Sequence, residues 1–175
     1  INTDGTGLEI VQKGIRNTVG FTWHPVTKQL WFTDNGRDWL GDDSPACELN
    51  FAPRDGLHFG YPYCHQGDMA DPEFGNKRAC SEFTAPAQKL GPHVAPLGLE
   101  FYTGSQFPAI YKNQILIAEH GSWNRSTLSG YKVIFVPFEN GRPSGPPRDI
   151  LSGFLAPDEK VSYGRPVGVT LTREG

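Results

Sequence analysis

The fold turns on "NTVGFTWHPVTKQLWFTDNGR", residues 17–37, because the same plan recurs further along the chain. The stretch holds a glycine, an apolar–polar alternation, a turn, and a second short run that ends in a polar loop. "APLGLEFYTGSQFPAIYKNQILIAEHGS" (95–122) repeats that plan, and "RPVGVTLTREG" (165–175) starts it a third time and reaches the turn. The regions before two of these copies also match. "GLEIVQKGIRN" (7–17) and "PRDILSGFLAPDEKVSYGRP" (147–166) each give an apolar run, a glycine, then an arginine just ahead of the next copy. Alternation with period two in short runs of Val, Ile, Phe and Tyr specifies strands. "SGYKVIFVPFENGRPSG" (129–145) reads as a further strand and hairpin, and no segment carries a helical pattern.

Several strands per copy, repeating at roughly 40 residues or more, specify an all-β chain of the β-propeller class. A β-sandwich is the rival architecture. The third copy breaks off and the first lacks its beginning, so the expectation is a fragment of roughly two to three blades of a larger propeller, each packed mainly on its neighbours. Residues 1–175 would then be part of one propeller domain, with a loop-rich insertion at about 50–94. The chain opens on Ile1, as though cut from something longer, and shows no charged-then-apolar leader.

Composition agrees. The 21 glycines and 15 prolines suit many strands joined by tight turns, and a helical bundle would not tolerate them. The 16 basic and 19 acidic residues give a formal charge of −3, with no Lys/Arg run to track phosphates, which argues against a nucleic-acid partner. No apolar run is long enough for a membrane-spanning helix. Cys64 and Cys80 bracket "CHQGDMADPEFGNKRAC" in the insertion. A bridge there would restrict the unfolded chain and imply an oxidising compartment; two free thiols in a reduced protein is the alternative. Cys47 is left over.

In a propeller, equivalent loops converge around one axis. On that logic Arg16, Asn17, Arg37, His93, His120, Trp123, Arg125 and Arg165 ring a mouth. Guanidinium forks suit a planar, multiply anionic ligand, and an indole suits a flat ring or a sugar face. Singly, each has a plainer reading: an arginine before a strand as surface charge, Trp123 as packing, His24 as an outward turn residue. Asp34, Asp38, Asp42, Asp43 and Glu48 fall in "DNGRDWLGDDSPACELN" (34–50), either a solvated acidic loop or oxygen donors for a hard cation such as Ca²⁺. No nucleophile elbow, phosphate loop or zinc spacing occurs.

"GIRNTVGFTWHP", "LWFTDNGRDWLGDD…ELN", "HFGYPYCHQGD…DPEFG…CSEFT", "KLGPHVAPLGLEFYTG", "IAEHGSWNRS" and "YGRPVGV" together resemble the soluble pyrroloquinoline-quinone (PQQ) sugar dehydrogenases, closest to the L-sorbosone/pyranose dehydrogenase-like branch, over residues 10–172. The resemblance implies a six-bladed propeller with the quinone over the central channel and Ca²⁺ bound to it. It also implies secretion or a periplasmic home, in keeping with a Cys64–Cys80 disulfide. Arg16 and Asn17 match a quinone-contacting pair. Gly36 and Arg37 match the position whose backbone carbonyls bind catalytic Ca²⁺, and Glu48 matches a structural-calcium carboxylate. His93 lines the pocket, and His120, Trp123, Arg125 and Arg165 match partners of the cofactor. The implied activity is hydride transfer from a sugar carbon to the quinone, with an external electron acceptor. The histidine base falls outside this segment, which alone would be inactive. A non-catalytic extracellular propeller and a calcium-dependent lactonase-type propeller are the alternatives.

Overall fold

The computed structural model describes residues 1–175. In chain order the strands are β1 (Phe21–Trp23), β2 (Leu30–Asp34), β3 (Ala46–Ala52), β4 (Cys64–His65), β5 (Met69–Ala70) and β6 (Gln88–Pro92). They continue as β7 (Pro96–Phe101), β8 (Ile115–Glu119), β9 (Lys132–Val136), β10 (Phe138–Glu139), β11 (Arg142–Pro143) and β12 (Arg148–Leu151). Helical structure is confined to two short 3₁₀ turns, Cys80–Glu82 and Ala109–Tyr111.

Two four-stranded sheets are formed, ordered β1-β2-β3-β6 and β7-β8-β9-β12. Every pairing within them is antiparallel. The first two copies of the sequence repeat thus each build the leading hairpin of one sheet. The hairpins β4-β5 and β10-β11 stand apart.

Strand alternation sets the core. Trp31, Leu49, Phe51, Ile115, Ile117, Ile134 and Val136 point into one cluster shared by both sheets. Their strand neighbours Phe32 and Ala52 face a second cluster with Phe59, while Leu116 and Phe135 face a third with Tyr102. A one-residue slip in either sheet would exchange these faces. Trp31 anchors the shared cluster, 4.6 Å from Phe51 and 4.9 Å from Phe138 between ring centres. His24 is buried rather than outward: its ring lies 4.8 Å from that of Phe101 and its Nδ1 accepts the N–H groups of Val26 and Thr27.

The repeated glycine explains how the copies meet. A Cβ on Gly20 would overlap the Leu97 carbonyl, and one on Gly98 would come within 2.8 Å of Val167 O and Gly168 Cα. Backbone meets backbone at both points, which leaves room for no side chain. Thr33 Oγ1 donates to Leu97 O at 2.7 Å and Gly98 N to Val167 O at 2.8 Å. The third copy therefore lies along β7 much as β7 lies along the first. The disulfide expected from the resemblance joins Cys64 to Cys80 and closes the insertion on itself; Cys47 is buried and free.

Candidate active site

The polar loops that leave β2 and β8 come together with the segments entering β1 and β7. A pocket of about 180 Å³ opens there, lined by Arg16, Asn17, Asn35, Gly36, Asp38, Cys47, His93, Ala95, Leu97 and Trp123. Of the residues expected at the mouth, the structure brings Arg16, Asn17, His93 and Trp123 into this one cavity, together with Gly36, which the resemblance implies for Ca²⁺.

Each is placed by specific bonds. Asp34, the last residue of β2, accepts the backbone N–H of Arg16 at 3.0 Å and of Asn17 at 2.6 Å. The Arg16 side chain then donates to Asn35 O at 3.2 Å and Asp38 Oδ2 at 3.0 Å. His93 Nε2 lies 2.7 Å from Gly41 O, and since a carbonyl only accepts, Nε2 is the donor and Nδ1 is left free of that bond. His93 and Ala95 both have left-handed backbones, at φ 58° and 51°. Such conformations persist in non-glycine residues only where the surroundings hold them.

The second loop is clamped onto the first by Arg125. It donates to Asp42 O at 3.0 Å, to Asp43 Oδ1 at 2.9 Å and to Thr127 O, while Ser126 N donates to Asp42 Oδ2 at 3.1 Å. The clamp sets Trp123 beside Trp39, their rings edge-on at 5.4 Å and both largely exposed. Arg125 is thereby a fastener of the rim and does not line the cavity.

His120 and Arg165 are joined to each other's segments. Arg165 donates to His120 O at 3.0 Å and Gly121 O at 2.6 Å, its cation lies 5.2 Å from the Tyr131 ring centre, and His120 Nδ1 donates to Pro166 O at 3.1 Å. These bonds pin the third copy's segment to the loop after β8. Neither side chain lines the pocket.

Of the positions the resemblance implies for Ca²⁺, Gly36 and Arg37 were expected to offer backbone carbonyls and only Glu48 a side chain. Glu48 Oε2 accepts from Asn50 Nδ2 at 2.9 Å and Oε1 from Gln66 N at 2.7 Å. The Arg37 guanidinium is drawn to Asp71, and no three His, Cys, Asp or Glu side chains converge as a metal group. The acidic run 34–48 is mixed: Asp34 and Glu48 are buried, whereas Asp43 is 87% exposed. Asp34, Asp38, Asp42, Asp43 and Glu48 each hold a partner from another segment.

Burial raises several acids here. It pushes Glu48 up to about 7, with the Asn50 hydrogen bond opposing. It raises Asp34 against the lowering pull of the Arg16 and Asn17 N–H groups. It lifts Glu119, the last residue of β8, to about 8, and the Glu119 Oε2 has no hydrogen-bond partner. The Cys47 thiol is likewise raised by burial, so it is a poor nucleophile.

One polar cluster is invisible in the repeat pattern. Asp71 is buried, accepts from Arg37, lies 2.7 Å from His65 Nε2, and takes the N–H groups of Glu73 and Phe74 at 2.8 Å each. Burial opposes its ionisation, but the bonds from His65, Phe74 N–H, Arg37 and Glu73 N–H outweigh it and hold the carboxyl well below the usual range. The "DPEFG" turn (71–75) was the available signal, since Asp often caps the N–H groups two and three residues on.

These features define a class: an all-β protein of repeated antiparallel sheets with a mouth of arginine, histidine, amide and indole at its strand ends. The TrAA12-like family model matches residues 68–175, and the chain belongs to that family. It is 41% identical over 177 residues to an uncharacterized protein of Borreliella burgdorferi, covering 100% of this chain and 46% of that protein. It is 42% identical over 52 residues to the pyrroloquinoline quinone-dependent pyranose dehydrogenase of Coprinopsis cinerea, covering 30% of this chain and 6% of that one. Among solved structures it resembles the iodide structure of Trichoderma reesei Carbohydrate-Active Enzymes Family AA12, with TM-score 0.77 and 26% identity over 94% of this chain and 49% of that one. The chain thus spans about half the length of the proteins it matches over most of its own length.

Proposed function

We propose that this chain forms part of a quinone-dependent sugar oxidoreductase, each four-stranded sheet being one blade of a β-propeller and the 165–175 segment opening the next. The observation that carries the reading is the single pocket shared by Arg16, Asn17, Gly36, His93 and Trp123, in a family whose relatives include a pyranose dehydrogenase.

The donor set fits PQQ, a planar tricarboxylate. Arg16 supplies a fixed cation, Asn17 an amide, and Trp123 an exposed flat ring. When bound, the quinone would supply a two-electron acceptor for a sugar carbon. The Arg16 guanidinium, set by Asn35 O and Asp38, would hold an anionic oxygen without further reorganisation. His93 would present Nδ1, and the Trp123 indole would shield the site from water. No histidine of this chain is assigned as the catalytic base, which belongs to a neighbouring blade. Arg125, His120 and Arg165 act as fasteners of the rim in this reading. The backbone carbonyls of Gly36 and Arg37, the positions the resemblance implies for Ca²⁺, are the groups that would hold the cation. The Cys64–Cys80 disulfide and the lack of any helix long and apolar enough to cross a membrane support a secreted or periplasmic protein.

The test titrates the full-length apo-protein with PQQ, with and without Ca²⁺, following quinone absorbance and dye reduction on a panel of aldoses. Saturable binding, weakened at least about tenfold in Arg16→Ala as expected for a lost charge-assisted contact, supports the reading. Absence of binding under both conditions would leave a non-catalytic propeller.

A further inference from the structure

The mouth does not end at the Arg16–Asp38 ion pair. Beyond it lies a second cavity of about 430 Å³, lined by Arg37, Trp39, Tyr61, Pro62, Glu73 and Phe74. Arg16 and Asp38 line both spaces, so the ion pair is a sill between adjoining compartments. The larger volume falls within the range of about 300–1,000 Å³ typical of small-molecule sites.

The lining is unusual in two ways. Trp39 is 75% exposed, and its backbone is left-handed at φ 66°, a region that costs a non-glycine residue about 1–2 kcal/mol. Core packing does not explain a bulky residue held in that conformation with its indole in water. Arg37 is also pre-set. Its Nη1 is tied to the buried Asp71, itself fixed by His65 and two backbone N–H groups, and its Nη2 lies 3.9 Å from Glu73. A guanidinium carries five N–H donors, so several remain for a ligand.

Flat rings beside a fixed guanidinium and a carboxylate match one ligand chemistry well. A pyranose has C–H faces that lie against an aromatic ring and a rim of hydroxyls that both donate and accept. A multiply anionic ligand would instead meet Glu73, which the first pocket does not contain.

We propose that this second cavity is a saccharide subsite. It holds the sugar unit next to the one that faces the quinone, with Trp39 against its face and Arg37 and Glu73 on its hydroxyls. Resting on the oxidoreductase reading above, the inference makes the substrate class di- or oligosaccharides in preference to free aldoses. The insertion at 50–94, which supplies Tyr61, Pro62, Glu73 and Phe74, is then the specificity wall.

Two readouts test it on the full-length protein. The first needs no turnover: quinone-free protein is titrated with glucose, cellobiose, xylobiose, lactose and maltose while tryptophan fluorescence is followed. At least one disaccharide is expected to bind about tenfold tighter than glucose, with the advantage lost in Trp39→Ala and reduced several-fold in Glu73→Gln. The second is the ratio of kcat/KM for that disaccharide to kcat/KM for glucose in the quinone-loaded enzyme, expected to fall about tenfold in Trp39→Ala. Disaccharides that bind no better than glucose, or a preference untouched by both substitutions, would overturn the subsite while glucose oxidation leaves the oxidoreductase reading standing. Tight Trp39-dependent disaccharide binding with no oxidation of any sugar would uphold the subsite and overturn that reading.

Discussion

The two sheets grow from the same repeated stretch, yet they treat the carboxylate at the end of their second strand in opposite ways. The register is shared: Asn35 N donates to Asn17 O at 3.2 Å in the first sheet, and His120 N donates to Ala95 O at 2.9 Å in the second. Just before each donor stands a buried acid. Asp34 takes two backbone N–H groups from the entering segment and so fixes Arg16 at the mouth. Glu119, one methylene longer, is fully buried with Oε2 unpartnered. Burial raises both acids, so the same position holds either a carboxyl whose oxygens anchor a site segment or one that anchors nothing. What decides is whether backbone donors face it, since burial without them favours the protonated form.

The harshest way to break the equivalence is at the seam between copies. Gly20→Ala puts a Cβ into the Leu97 carbonyl, where only backbone movement can relieve it. A loss of about 4 kcal/mol or more is expected, read as a fall in the urea midpoint or a failure to fold. Next comes Glu119→Gln. The Glu119 carboxyl ionises near 4.5 when unfolded and at about 8 when folded, so its contribution is fully present below pH 4.5 and lost as pH rises to 8. Wild type should lose on the order of 4 kcal/mol relative to Glu119→Gln across that window, seen in denaturation curves at pH 4.5 and 8.5. Equal pH dependence in the two proteins would mean that Glu119 is solvated after all. The smallest effect is Asp34→Ala, which strands two N–H groups. It should cost roughly 3 kcal/mol and also weaken quinone binding by releasing Arg16, whereas Glu119→Gln leaves that binding intact. Isothermal titration on both variants checks the contrast.

Much of the fold was legible because short alternating strands and a glycine at a repeated register are local signals. Gly20 and Gly98 marked the seam, and Leu30–Asp34 and Ile115–Glu119 fell where the pattern put them. The site was legible in part. Arg16, Asn17, His93 and Trp123 were placed at the mouth because the repeat predicts which loops converge, and Gly36 came only from the resemblance. It could not say which guanidiniums would be taken by protein partners, since Asp43, Asp71 and the carbonyls of His120 and Gly121 come from distant segments. His24 read as an outward turn residue because its burial depends on Phe101 in the neighbouring sheet. The Trp39 compartment was missed for the same reason: its walls come from two stretches that the repeat does not relate.

The Cys64–Cys80 link has a consequence for how the molecule ages in the presence of a protease. It spans 16 positions and encloses the Asp71 turn, so a protease that cuts anywhere inside that loop severs the chain without releasing either piece. Nicked molecules would run as one band on a gel until a reductant is added, then as two. Wear at the specificity wall would thus stay hidden from any assay of size that leaves the bridge intact.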